Sequence, residues 1–136
     1  MRTLFCYFLC FLSINSYSQN AYTPDKGSTE RKEILDIFRK DFISEKNQIL
    51  FTVEHFKVNG EWACAMVTPL KNNVAYSEPR WGLFNKNNGK WQAVDWSKGI
   101  DIQDEFELID LPAQNGKIAK YIVKKYPRCS MSIFGK

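Results

Sequence analysis

The feature that most restricts this chain is a pair of β-type runs hinged on Asn59-Gly60. Residues 49–58 and 61–70 are both rich in β-branched and aromatic side chains. An Asn-Gly step between two such runs is a strong short-range hairpin signal, because a type I′ turn needs positive φ at both central positions and these residues tolerate it. The spacing predicts strands over 48–58 and 61–70. In the second, Trp62, Cys64 and Met66 share one face while Ala63, Ala65 and Val67 share the other. A face of small residues implies close packing by another element, most simply a helix.

A polar stretch from residue 71 to residue 79 then interrupts the sheet. Residues 81–86 and 90–97 make a second hairpin around Asn87-Asn88-Gly89. Ahead of the strands, Ile34, Leu35, Ile37, Phe38 and Phe42 recur at three- and four-residue spacings with charged residues between them. This predicts an amphipathic helix over 29–46, capped by Ser28 or Thr29 and with Glu30 well placed against the helix dipole. Residues 19–28 carry Pro24 and Gly27 and no apolar period, and are expected to be a flexible or extended lead-in. Near the end, Leu111-Pro112 is a break, and Ile118, Tyr121 and Ile122 lie on one stripe of a short helix that stops before Pro127. The expected fold is α+β: an N-terminal helix packed on a four-stranded antiparallel meander, with a short C-terminal helix.

The N-terminus reads as a leader. Met1-Arg2-Thr3 precedes an apolar run from Leu4 to Leu12 and the small residues of Ser16-Tyr17-Ser18, the pattern of a secretory signal peptide cleaved after Ser18. The run is shorter than the about 20 residues a membrane span requires. Cys10 sits inside the apolar core, so it is not a lipidation site. The expected product is one domain over residues 29–136, periplasmic or secreted, with no membrane anchor after cleavage. The net charge of +4 is mild and its lysines are dispersed, which argues against nucleic acid as a partner.

Of four cysteines, Cys6 and Cys10 depart with the leader. Two cysteines left in an oxidising compartment, Cys64 and Cys129, are most simply paired as one disulfide. The other reading makes Cys64 a small core residue and Cys129 an exposed thiol.

Three stretches carry a likeness: Arg31-Lys32-Glu33-Ile34-Leu35-Asp36 at the helix start, Phe56-Lys57-Val58-Asn59-Gly60-Glu61-Trp62-Ala63 across the first turn, and Asn88-Gly89-Lys90-Trp91-Gln92-Ala93-Val94-Asp95-Trp96-Ser97-Lys98-Gly99 across the second. Over about residues 30 to 105 the chain resembles a family of small, uncharacterised exported bacterial α+β proteins, cystatin-like or NTF2-like in outline. The resemblance implies a helix lying on a curved antiparallel sheet. It carries over no catalytic residue, and Cys129 has no counterpart in it.

Chemistry is thinly signalled. His55 is the one histidine. It adjoins Glu54, and on a regular strand the two face opposite ways and form no dyad. Asp95 is the carboxylate that could serve with His55 as an acid–base pair in a small enzyme. Metal sites look poor, with no ligand pair at short spacing. Asp101, Asp104, Glu105 and Glu107 lack calcium-loop spacing and read as a solvated acidic loop. No phosphate loop or nucleophile elbow occurs, and no cofactor is implied. Four tryptophans and Tyr76 fall on or beside the sheet. Three of these five rings could pack under the helix and still leave one or two in a concave face, for which Trp81, Trp96 and Tyr76 are the candidates for binding. The function that follows is an exported, non-catalytic binding or accessory protein, with another protein or a glycan as its partner. The alternatives are the Asp95/His55 enzyme and a secreted glycan-binding accessory of polysaccharide degradation.

Overall fold

A computed structural model of the chain describes residues 20–42, 44–45, 48–100 and 110–135. The leader, residues 1–18, and the acidic stretch holding Asp101, Asp104, Glu105 and Glu107 lie outside the described residues.

Helix α1 (Thr29–Arg39) starts where Ser28 Oγ accepts the Arg31 amide at 3.3 Å, with Glu30 in its first turn and Arg39 in its last. Such a cap satisfies an amide that the helix itself cannot, and contributes about 1 kcal/mol. The helix is shorter than the expected 29–46. It tightens into a 3-10 turn over Lys40–Phe42, and this turn sets the Phe42 ring 6.3 Å from Phe51 and 6.0 Å from Tyr76. The lead-in is extended and held: Tyr22 exchanges both backbone hydrogen bonds with Val58, and Pro24 O accepts from Arg31.

The sheet contains β1 (Ile49–Asn59), β2 (Trp62–Lys71), β3 (Val74–Ala75), β4 (Arg80–Asn87) and β5 (Lys90–Ala93), all antiparallel. The order is β1-β2-β4-β5, the expected meander, with β3 added as a small hairpin on the end of β2. That hairpin falls in the stretch expected to break the sheet. Asn72 and Asn73 both have positive φ (53° and 63°), as do Asn88 and Gly89 (49° and 75°), so the type I′ pattern belongs to these two turns. The first hairpin differs. Asn59 pairs with Trp62, so the loop is Gly60-Glu61, and only Gly60 has positive φ. A glycine at the first central position is what a type II′ turn requires.

Strand β1 changes face halfway. Its register with β2 shifts between Val53 and His55, leaving Glu54 as a bulged residue. Phe51 and Val53 before the bulge and Phe56 and Val58 after it therefore all meet α1. Under α1 lie Ile34, Phe38, Phe56, Val58, Ala63, Ala65, Val67, Phe84 and Trp91; the small face of β2 is where the helix packs, as expected. Burying Ile34 and Phe38 contributes about 1.5–3 kcal/mol each.

The opposite face is also covered. Helix α2 (Lys117–Lys125) and a 3-10 turn at Met131–Ile133 bring Ala119, Ile122, Cys129, Ile133 and Phe134 against Trp62, Cys64, Leu83 and Trp96. The sheet is thus packed between two layers. This corrects the tryptophan assignment: Trp91 alone of the four lies under α1, because Trp62 alternates onto the Cys64 face and Trp96 follows the end of β5.

Candidate functional site

Strand β5 pairs only with Phe84–Asn87 of β4, and the last bond of that ladder runs from Val94 N–H to Leu83 O at 2.8 Å. Beyond that point the chain leaves the sheet, and a cleft of about 820 Å³ opens beside the first half of β4. One wall is the end of α1 and the 3-10 turn after it, with Ile37, Phe38 and Asp41. Gly82 and Phe84 line it further in, and Trp81, Trp96 and Ala93 complete the rim.

Gly82 is built into this packing. A Cβ at that position would stand 2.7 Å from the far edge of the Phe84 ring and 3.4 Å from Phe38, so its absence lets the two rings meet edge-on at 5.3 Å beneath α1. Trp81 and Trp96 stack with centroids 4.8 Å apart and planes 24° from parallel. Trp96 is buried in this stack, whereas Trp81 is half-buried and lends ring surface to the cleft. The segment after Trp96 is tied to α2: Lys125 Nζ donates to Lys98 O at 2.8 Å and to Trp96 O at 3.5 Å.

The charge at the rim is largely compensated. Arg80 Nη1 bonds Asp41 Oδ2 at 3.0 Å, and its guanidinium lies 4.8 Å over the Phe42 ring. Tyr76 is separate from the tryptophan pair. It lines a smaller hollow with Phe42, Ser44 and Glu45 that shares Asp41 with the main cleft. There Lys71 bonds Glu45 at 2.7 Å, and that hydrogen bond is the main cause of the lowered Glu45 pKa and the raised Lys71 pKa. Two of the three expected binding residues, Trp81 and Trp96, are therefore brought together, and the third stands next door. Phe38, Gly82 and Ala93 were not singled out from sequence; their signal is only that they surround the point where a strand ends early.

Asp95 and His55 are not brought together. Asp95 is exposed, accepts a bond from Ser97 Oγ at 3.1 Å, and follows β5 at one side of the sheet. His55 is on β1 at the other side, three strand spacings or roughly 14 Å away. The histidine is buried, at 6% exposure, and its Nε2 donates to Ile133 O at 2.7 Å. The bulge also overturns the regular-strand geometry: Glu54 and His55 share the face away from α1, where Glu54 accepts a hydrogen bond from Thr68. Burial lowers the His55 pKa, and the Lys57 charge adds to this against the raising effect of the Ile133 carbonyl. In this structure Cys64 and Cys129 are reduced, and both are buried in the cluster on that face. Among the described residues no cluster of three His, Cys, Asp or Glu side chains could hold a metal ion, and no helix is long and apolar enough to cross a membrane.

Compared with known proteins, the chain matches no protein-family model, no curated protein and no solved structure. The likeness to small exported α+β proteins rests on the three sequence stretches alone.

Proposed function

We propose that this chain is an exported, non-catalytic binding protein whose ligand occupies the cleft beside β4. The observation that carries the reading is the cleft itself. Its lining is aromatic, from Phe38 and Phe84 further in and the Trp81–Trp96 stack at the rim, and it also includes Asp41, Glu78 and Arg80. A concave apolar wall with a few polar groups at its edge is the usual form of a small-ligand site. The complementary ligand is a ring with an apolar face and polar edges, a description that a sugar residue fits. The dispersal of Asp95 and His55 supports binding over catalysis, as does the use of Arg80 in an ion pair with Asp41.

Intrinsic fluorescence tests this directly, because two of the four tryptophans line the cleft. Titration with soluble oligosaccharides is expected to give a saturable change. Ala93→Phe, which fills the rim from an exposed position, is expected to abolish it, and Trp81→Ala to weaken it at least tenfold. Asp95→Ala should leave it intact. A response that survives Ala93→Phe would place the ligand elsewhere, and no response to any oligosaccharide at millimolar concentration would overturn the sugar reading.

A further inference from the structure

The two buried thiols belong to neither the cleft nor the polar contacts of the sheet. Cys64 sits mid-strand on β2, paired across to Lys57 on one side and Leu83 on the other, with its side chain on the face away from α1. Cys129 comes from a different part of the chain, in the turn that follows α2, where its amide bonds Tyr126 O at 2.9 Å. Both enter one cluster with Trp62, Leu83, Ile122 and Ile133, at 0% and 2% exposure. The next residues, Met131–Ile133, pack on β1 and β2, and Ile133 receives the His55 bond. The turn that carries Cys129 is therefore fixed on the sheet from both sides.

We infer that Cys64 and Cys129 form a cross-linking pair that is oxidised to a disulfide while the chain folds, and that the finished fold then seals. The reaction is thiol–disulfide exchange with an external disulfide. The two S–H bonds and the oxidant's S–S bond break, and one S–S bond forms between Cys64 and Cys129. The two protons and two electrons leave with the oxidant as its two thiols. The attacking species in such exchange is a thiolate. In the folded chain burial disfavours that form at both sites, pushing Cys129 up to about 12 and Cys64 higher still, where the nearby Cys129 charge adds to the effect of burial. Neither sulfur is then an effective nucleophile, and at 0% and 2% exposure neither is open to a reagent in solution. The bond therefore forms before the α2 layer has closed over the sheet.

The test uses the full chain with Cys6→Ser and Cys10→Ser, so that only this pair is counted. Unfolded, reduced protein is refolded either with a small-molecule disulfide or with a reductant, then denatured and titrated for thiols. The expected result is no titratable thiol after oxidative refolding, a proteolytic fragment linking Cys64 to Cys129 by mass, and a Tm higher by on the order of 10 °C than the reduced form. Adding the same small-molecule disulfide to protein already folded in reductant should leave both thiols free over hours. Two free thiols after oxidative refolding would overturn the pairing. Rapid oxidation of the folded, reduced protein would overturn the sealing.

Discussion

The two faces of the sheet are covered by different means. On the α1 face a capped helix lies over an apolar surface in which Phe38 meets Phe51 and Phe84 at ring distances of 6.1 and 5.3 Å. On the other face the cover comes from the end of the chain, and it is pinned by directed contacts: His55 to Ile133, Asn59 Nδ2 to Ser132 Oγ at 3.0 Å, and Lys125 to the carbonyls after β5. A nine-residue helix such as α2 is too short to be stable alone. α1, at eleven residues, is also short for a helix standing alone, so the difference teaches that apolar burial holds one cover, while on the other burial is joined by long-range hydrogen bonds that also set position.

The strongest way to break this contrast is to cut an equal ring from the core on each face of the sheet. Phe84→Ala and Phe134→Ala, at 2% and 1% exposure, should each cost about 3–5 kcal/mol in urea unfolding. If Phe134→Ala costs under about 1 kcal/mol, the C-terminal layer lies outside the cooperative unit and the two faces fold separately.

A smaller and more selective change is His55→Ala. It leaves the Ile133 carbonyl without its donor and should cost about 1–3 kcal/mol at pH 8. The pH dependence sharpens the assignment. The folded His55 pKa lies below the ordinary 6.5, so the unfolded chain takes up the proton first. Stability from this group is full above pH 6.5, declines as pH falls from there to the folded pKa, and declines no further below it. Thermal melts across this range should show the decline in the parent and lack that component in His55→Ala. Equal slopes in the two proteins would exclude the histidine as its source.

The smallest effect is expected at the surface, and it serves as the control. Arg128 bonds Glu61 at 2.9 Å, linking the segment after α2 to the first hairpin, but its side chain is 82% exposed. Arg128→Ala should change stability by about 0.5 kcal/mol or less in urea unfolding. A loss above about 1 kcal/mol would mean that charge as well as burial holds the C-terminal cover.

Much of the α1 side was legible in the sequence. The 3.6-residue period of Ile34 and Phe38, the cap at Ser28, and the alternation of Ala63, Ala65 and Val67 all follow from local geometry, and each appears where the pattern places it. The other side was less legible, for a physical reason. The residues after Pro127 bury Cys129, Ile133 and Phe134 without forming a periodic element, so no pattern announces their burial. The Asn72-Asn73 turn did carry a signal, since asparagine is the side chain that most readily takes positive φ after glycine, but the polar residues around it concealed the hairpin. At the candidate site, Trp81 and Trp96 stood out by type. That they stack depends on β5 ending at Ala93, which no residue in the stretch dictates.

The bulge at Glu54 has a consequence for how the chain tolerates change in length. Strand β1 is two half-strands of opposite phase spliced at one residue. Removing Glu54 would restore regular alternation, with Phe51, Val53, Phe56 and Val58 still on the α1 face, and would take out the local bend and extra twist that a bulge gives its strand. Substitution at this position is a surface event, because the side chain is exposed. Deleting one residue from either regularly alternating half would instead turn the residues beyond it to the opposite face, so β1 tolerates a change in length best at the splice itself.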